Sequence, residues 1–238
     1  MQREENSDHV SLNHLSGVKP PLFFIAITIP IILMITTITV VHEDAKTIIF
    51  EIDEEDLISH QNENYRRFAV KYEDKSELFL DKALSDDDRN HDGNSTVMNC
   101  YRALKDNCPE NERFSDFVLR YIQDFEYISD SEQYDSFDWA AYPIETLSSK
   151  KGDCEDLAIL LISLLLHDYR CGIIVFKDHT VAMIACDADT SVEIEGFTPL
   201  SIEHEGLLYY AMEATVHCPP GYTFEEYQLG DVLSFRVV

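Results

Sequence analysis

Gly152-Asp153-Cys154-Glu155-Asp156-Leu157-Ala158-Ile159-Leu160-Leu161-Ile162-Ser163-Leu164-Leu165-Leu166 runs from a polar loop straight into an apolar stretch. The run Leu157 to Leu166 is about half the length of a membrane span, so it reads as a core helix. Asp153 suits the N-cap position, and the helix is expected from about Cys154 to His167. Cys154 then lies in the first turn, where unpaired amides and the positive end of the helix dipole favour a thiolate. Lys150 and Lys151 push the same way, while Glu155 and Asp156 oppose them. Cys154 is therefore a candidate nucleophile.

Downstream, Ile173 to Phe176, Thr180 to Ile184, Ser191 to Ile194, Leu207 to Thr215 and Val232 to Val238 have the composition of strands. One buried helix packed on an antiparallel sheet is an α+β arrangement. A reactive cysteine needs a base and a group that orients it. His179, at the start of the second strand, is the candidate base, with His167, His204 and His217 as rivals. Glu213 is a carboxylate in an otherwise apolar strand and the candidate orienting group; a salt bridge to a lysine or arginine is the competing role. Upstream, Phe117, Leu119, Tyr121, Ile122, Phe125 and Ile128 predict an amphipathic helix from Phe114 that ends near Ser129-Asp130. Glu145 reads as a residue that bonds loop amides.

The combination Trp139-Ala140-Ala141-Tyr142-Pro143-Ile144-Glu145-Thr146-Leu147, then Gly152-Asp153-Cys154-Glu155-Asp156 and a Leu-rich helix, resembles the archaeal and bacterial transglutaminase-like cysteine-hydrolase superfamily. Tyr127, Asp130 and the segment Tyr209-Tyr210-Ala211-Met212-Glu213-Ala214-Thr215 are similar to the family's pattern as well, so the resemblance covers about residues 114 to 220. It implies a papain-like α+β core with a triad of Cys154 as nucleophile, His179 as base and Glu213 as orienting acid. It further implies cleavage or transfer at amide bonds of polypeptides through a thioester, with no cofactor required. The Cys154 to His179 spacing is short for the family and implies a tight hairpin with no long lid. Glu213 stands where Asp is commoner. For the oxyanion, the Cys154 N–H is the first donor, with Trp139 or Tyr142 as candidates for the second. Some bacterial relatives bind calcium through the acids beside the cysteine, here Asp153 and Glu155; helix capping and dipole compensation account for the same two residues. A non-catalytic transglutaminase-like surface binding or assembly domain is the alternative function.

Toward the N-terminus, Pro20 to Val41 carries no charge and at 1.5 Å per residue is long enough to cross a hydrocarbon core of about 30 Å. The expected organisation is a short cytoplasmic tail (1–19), a transmembrane helix (20–41), an acidic connecting and helical region (42–112) and the transglutaminase-like domain (113–238). A signal peptide is the competing reading, disfavoured by an acidic leader and a long apolar run. Arg3 and Lys19 before the span against Lys46 after it favour an extracellular domain, where an Asn94-Ser95-Thr96 sequon would be usable. The net charge of −27 lies almost wholly beyond the span and excludes nucleic acid as a direct partner.

In the connecting region, Thr47 to Ile52 and Phe68 to Tyr72 resemble strands and Ser76 to Leu84 a helix. Asp88-Arg89-Asn90-His91-Asp92-Gly93 opens like a calcium loop, which makes Asp88, Asn90 and Asp92 candidate ligands. Asn99 stands where the bidentate Glu of such a loop belongs. Six cysteines without C-x-x-C pairs argue against a structural zinc site, and pairing of Cys100 with Cys108 or Cys171 with Cys186 stays open.

Overall fold

The computed structural model describes residues 36–42, 45–52, 57, 96–135, 139–186, 198–224 and 227–238, all within one unit, Met34–Val238. Strands β1 (Thr36–His42) and β2 (Ala45–Ile52) form an antiparallel hairpin with Thr36 opposite Ile52. Helices α1 (Thr96–Asn107) and α2 (Phe114–Gln123) follow, then the two-residue strand β3 (Glu126–Tyr127) and the short helix α3 (Asp130–Gln133). Helix α4 (Pro143–Ser149), strand β4 (Lys151–Gly152) and helix α5 (Cys154–Leu165) carry the motif. Five strands then make one antiparallel sheet: β5 (Cys171–Val175), β6 (Thr180–Cys186), β7 (Ser201–His204), β8 (Leu207–Met212) and β9 (Ser234–Val237), in the order β7-β8-β6-β5-β9. The protein is α+β, as the apolar patterning predicts.

Every residue of α5 from Cys154 to Leu165 is buried. A helix apolar on all sides must be covered on all sides, and α5 is: β6 lies against one flank while α1, α2 and α4 cover the others. Burial of each Leu or Ile contributes about 1.5–3 kcal/mol, so a charge placed at Leu161 would undo the fold. Strand alternation sends Ile173, Val175, Ala182, Ile184 and Met212 to this main core. The alternate residues Ile174, Val181, Met183, Tyr209 and Ala211 build a second cluster on the opposite face of the sheet. The same period of two lets Ile48, Phe50 and Ile52 of β2 join Val97, Cys100 and Leu104 of α1 in the main core.

Several expectations are corrected. Thr36 to Val41, the end of the expected span, belong to β1; a Thr-, Ile- and Val-rich run pairs readily as a strand. Among the described residues no helix is long and apolar enough to cross a membrane. Helix α2 stops at Gln123, short of Ser129, because the chain turns out to pair β3 with β4 in parallel. Strand β7 was not expected from its polar composition; it is joined to β8 by a tight turn with left-handed φ at Glu205 and Gly206. Ser191 to Ile194, Phe68 to Tyr72, Ser76 to Leu84 and the candidate calcium residues Asp88, Asn90 and Asp92 lie outside the described residues. So do Asn94 and Ser95 of the sequon, whereas Thr96 is buried at the start of α1. All six cysteines are free.

Candidate functional site

The hairpin between β5 and β6 is closed by a bond of 2.8 Å from the Phe176 N–H to the His179 carbonyl, which is the tight connection the short spacing implied. It leaves His179 at the entry to β6, buried. Register then decides its neighbour. Ala182 lies opposite Met212, so the start of β6 and the end of β8 meet, and Glu213 follows directly on β8. The His179 Nε2 stands 2.7 Å from Glu213 Oε2, and the second carboxylate oxygen accepts the Thr215 N–H at 2.9 Å and its hydroxyl at 2.6 Å. An ionised carboxylate only accepts, so Nε2 carries the proton of this bond and Nδ1 is the nitrogen left to receive one. Tyr227 stacks on the ring at 4.8 Å and 20°, and Phe224 meets it edge-on at 5.8 Å. The imidazole is thus held on an edge and a face.

Cys154 begins α5, with Asp153 as N-cap residue, although the Asp153 side chain makes no capping bond. The sulfur is directed at the entry of β6, where the Thr180 N–H favours its ionised form. That amide is outweighed. Burial first, then the charges of Glu155 and Asp153, push the thiol well above its ordinary range. The thiol donates to Glu155 Oε2 at 3.0 Å, and no hydrogen bond joins the sulfur to the His179 ring in this conformation. Helix-dipole stabilisation of a thiolate, expected from the sequence, is therefore overridden at rest by burial first and then by the adjacent acids. The rival histidines lie elsewhere: His167 packs on Tyr101, His204 on Phe235, and the exposed His217 sits 3.3 Å from Asp124.

The segment before α4 is fastened to this helix start by carboxylates. The Trp139 N–H donates to Asp130 Oδ2 at 2.6 Å, and the Ala141 N–H to Asp156 Oδ1 at 2.6 Å. Tyr142 is buried at the N-cap of α4, where its N–H donates to Glu145 at 2.8 Å, the amide-bonding role expected of Glu145. Trp139 packs its ring at 5.6 Å from Tyr134. No family model matches the chain, and no curated protein matches it.

Two features were hidden from the sequence. Gly152 is needed for close approach, since a Cβ there would fall 2.6 Å from the Asp156 Cβ. Asp130 and Asp156 join Asp153 in a cluster whose ligand atoms lie within 4.8 Å of one another. Burial, then the neighbouring Glu155, Asp156 and Asp130, push the Asp153 carboxyl up to about 10. The flanking pair suggested for calcium, Asp153 and Glu155, surrounds a sulfur, and Glu155 already accepts the thiol.

Proposed function

We propose that this chain is a cysteine hydrolase or acyltransferase of the transglutaminase-like, papain-like type, acting on amide bonds of polypeptides. The observation that carries the reading is the buried His179–Glu213 bond of 2.7 Å at the strand entry whose Thr180 N–H faces the Cys154 sulfur. Substrate entry turns the thiol from Glu155 toward the ring. The sulfur attacks the amide carbonyl as His179 Nδ1 takes the thiol proton, and Glu213 supports the resulting imidazolium. The Cys154 N–H, in the first helical turn and without an intrahelical acceptor, donates to the oxyanion. The C–N bond then breaks, the amine leaves with the proton from His179, and a Cys154 thioester remains. Water or an amine attacks it with His179 as base, and the sulfur is released.

The test is turnover of peptide amides by the full chain, followed as released amine. Activity that disappears in Cys154→Ala and His179→Ala supports the reading; activity that survives either substitution refutes it.

A second reading is favoured by the Glu155 contact to the thiol: a non-catalytic binding or assembly module with a permanently protonated Cys154. It predicts no turnover with any peptide and an unimpaired biological role for Cys154→Ala.

Membrane attachment is inferred from the uncharged run that precedes β1, with the domain on the outer side. With Thr36 onward in β1, that run is Pro20 to Ile35, shorter than the roughly 20 residues of a usual span. Retention of the full chain in carbonate-washed membranes, with the domain open to external protease, is the expected result. Release by carbonate would refute attachment.

A further inference from the structure

We propose that the Thr180 hydroxyl is a catalytic hydrogen-bond donor to the ionised Cys154 sulfur, completing with its own backbone N–H a two-donor seat for the nucleophile. The proposal rests on the acyl-transfer reading and adds to it a residue that holds the sulfur during attack.

Thr180 is the first residue of β6, and in the hairpin it lies opposite Val175 of β5. Side chains alternate along a strand, so Thr180 shares the face of Ala182 and Ile184, which join the α5 residues in the main core. Cys154 opens α5, and the Thr180 N–H faces its sulfur. Covalent geometry keeps a threonine Oγ1 within about 4 Å of its own nitrogen in every rotamer, which brings the hydroxyl into the neighbourhood that the N–H already serves.

The second observation is independent of that placement. Thr180 is 2 % exposed, and its Oγ1 is buried with no hydrogen-bond partner among the described residues. Buried hydroxyls are nearly always paired, and one left unpaired costs the fold stability. The strand itself has no use for the oxygen. Val175 across the ladder and Val181 next along are buried valines, and valine has the shape and β-branching of threonine. A donor held idle at this point is explained by a state other than the resting one. At rest the thiol is itself a donor, engaged with Glu155, and takes no hydrogen from Thr180. Once the proton has passed to His179 Nδ1, the sulfur becomes an acceptor and the hydroxyl rotates to donate to it beside the N–H. The seat empties as the neutral thioester forms, and it fills again when the second attack expels the sulfur as thiolate.

The experiment compares Thr180→Val and Thr180→Ser with the unsubstituted full chain. In peptide-amide turnover Thr180→Val lowers kcat by about 10- to 100-fold, the worth of one hydrogen bond to a charged group, with KM little changed. Thr180→Ser keeps most of the rate. The thermal midpoint of Thr180→Val stays level or rises, because the substitution removes a buried polar atom that had no partner. A second measurement needs no substrate: iodoacetamide labelling of Cys154 at fixed pH in the Glu155→Gln background, where the thiol is no longer held by a carboxylate. Adding Thr180→Val slows this labelling by about tenfold, and Thr180→Ser restores it. Equal labelling rates with threonine and valine overturn the proposal whether or not the chain turns over peptides. A valine variant that loses stability and labelling together, with serine rescuing neither, assigns the hydroxyl to the fold and overturns it as well. Absence of turnover in the unsubstituted chain, alongside a labelling loss that serine restores, refutes the acyl-transfer reading and leaves the two-donor seat standing.

Discussion

His179 and Glu213 meet at the same end of two neighbouring strands, 2.7 Å apart and both buried, with the second Glu213 oxygen saturated by Thr215. A carboxylate tied down on one side and bonded to an imidazole on the other fixes the ring's orientation and tautomer. Glu213→Gln should therefore lower peptide-amide turnover by about 100-fold or more, with Glu213→Asp recovering part of it. Glu213→Ala leaves the Thr215 N–H and the ring without their acceptor and should cost about 1–3 kcal/mol in urea unfolding. A structural role alone would lower stability without a rate loss in the Gln variant.

Cys154 is nearly enclosed at rest and its thiol is engaged by Glu155. Alkylation by iodoacetamide at neutral pH should accordingly reach the more accessible Cys108 before Cys154. Glu155→Gln removes the nearest negative charge and should accelerate labelling of Cys154 by about tenfold, one pK unit's worth of thiolate. Peptide mapping by mass spectrometry reads both rates.

Gly152 leaves no space for a side chain beside Asp156. Gly152→Ala should displace the β4 loop, disturb the 3.1 Å bond from the Ile128 N–H to the Gly152 carbonyl, and cost about 1–3 kcal/mol. Thermal unfolding of the variant measures the loss.

Burial pushes the thiols of Cys100 and Cys171 up to about 12 from 9.0. For a folded-state value raised above the unfolded one, the stability is complete below about pH 9 and is lost as pH rises toward 12. Denaturant midpoints should thus fall across this window, and Cys100→Ala should flatten part of the fall even though it is less stable at pH 8. An unchanged slope would contradict the assignment.

The sequence made the centre of the fold legible because α5 is apolar on every side and strands β5, β6 and β8 carry β-branched and aromatic runs. Cys154, His179 and Glu213 could be nominated for a related reason: each is a polar residue at the edge of an apolar element, and the structure gathers them at one end of the sheet. Other features depend on tertiary contacts that no local pattern encodes. The end of α2 at Gln123 is set by the pairing of Glu126 and Tyr127 with Lys151 and Gly152. Strand β7 reads Ser-Ile-Glu-His, and only its pairing with β8 makes it a strand. Asp130 is separated from Asp153 in the chain, so their cluster becomes visible only in three dimensions. Thr36 to Val41 was ambiguous by nature, since an apolar β-branched run suits either a strand or a span.

The central claim is that Cys154 forms an acyl-enzyme with His179 as its base. Its most direct measurement is denaturing mass spectrometry of the full chain after brief exposure to an activated acyl ester. The account predicts one acyl group, mapped to Cys154, whose formation slows by about 100-fold or more in His179→Ala. Acylation spread evenly over the six cysteines, or a Cys154 adduct that forms at the same rate without His179, would contradict it.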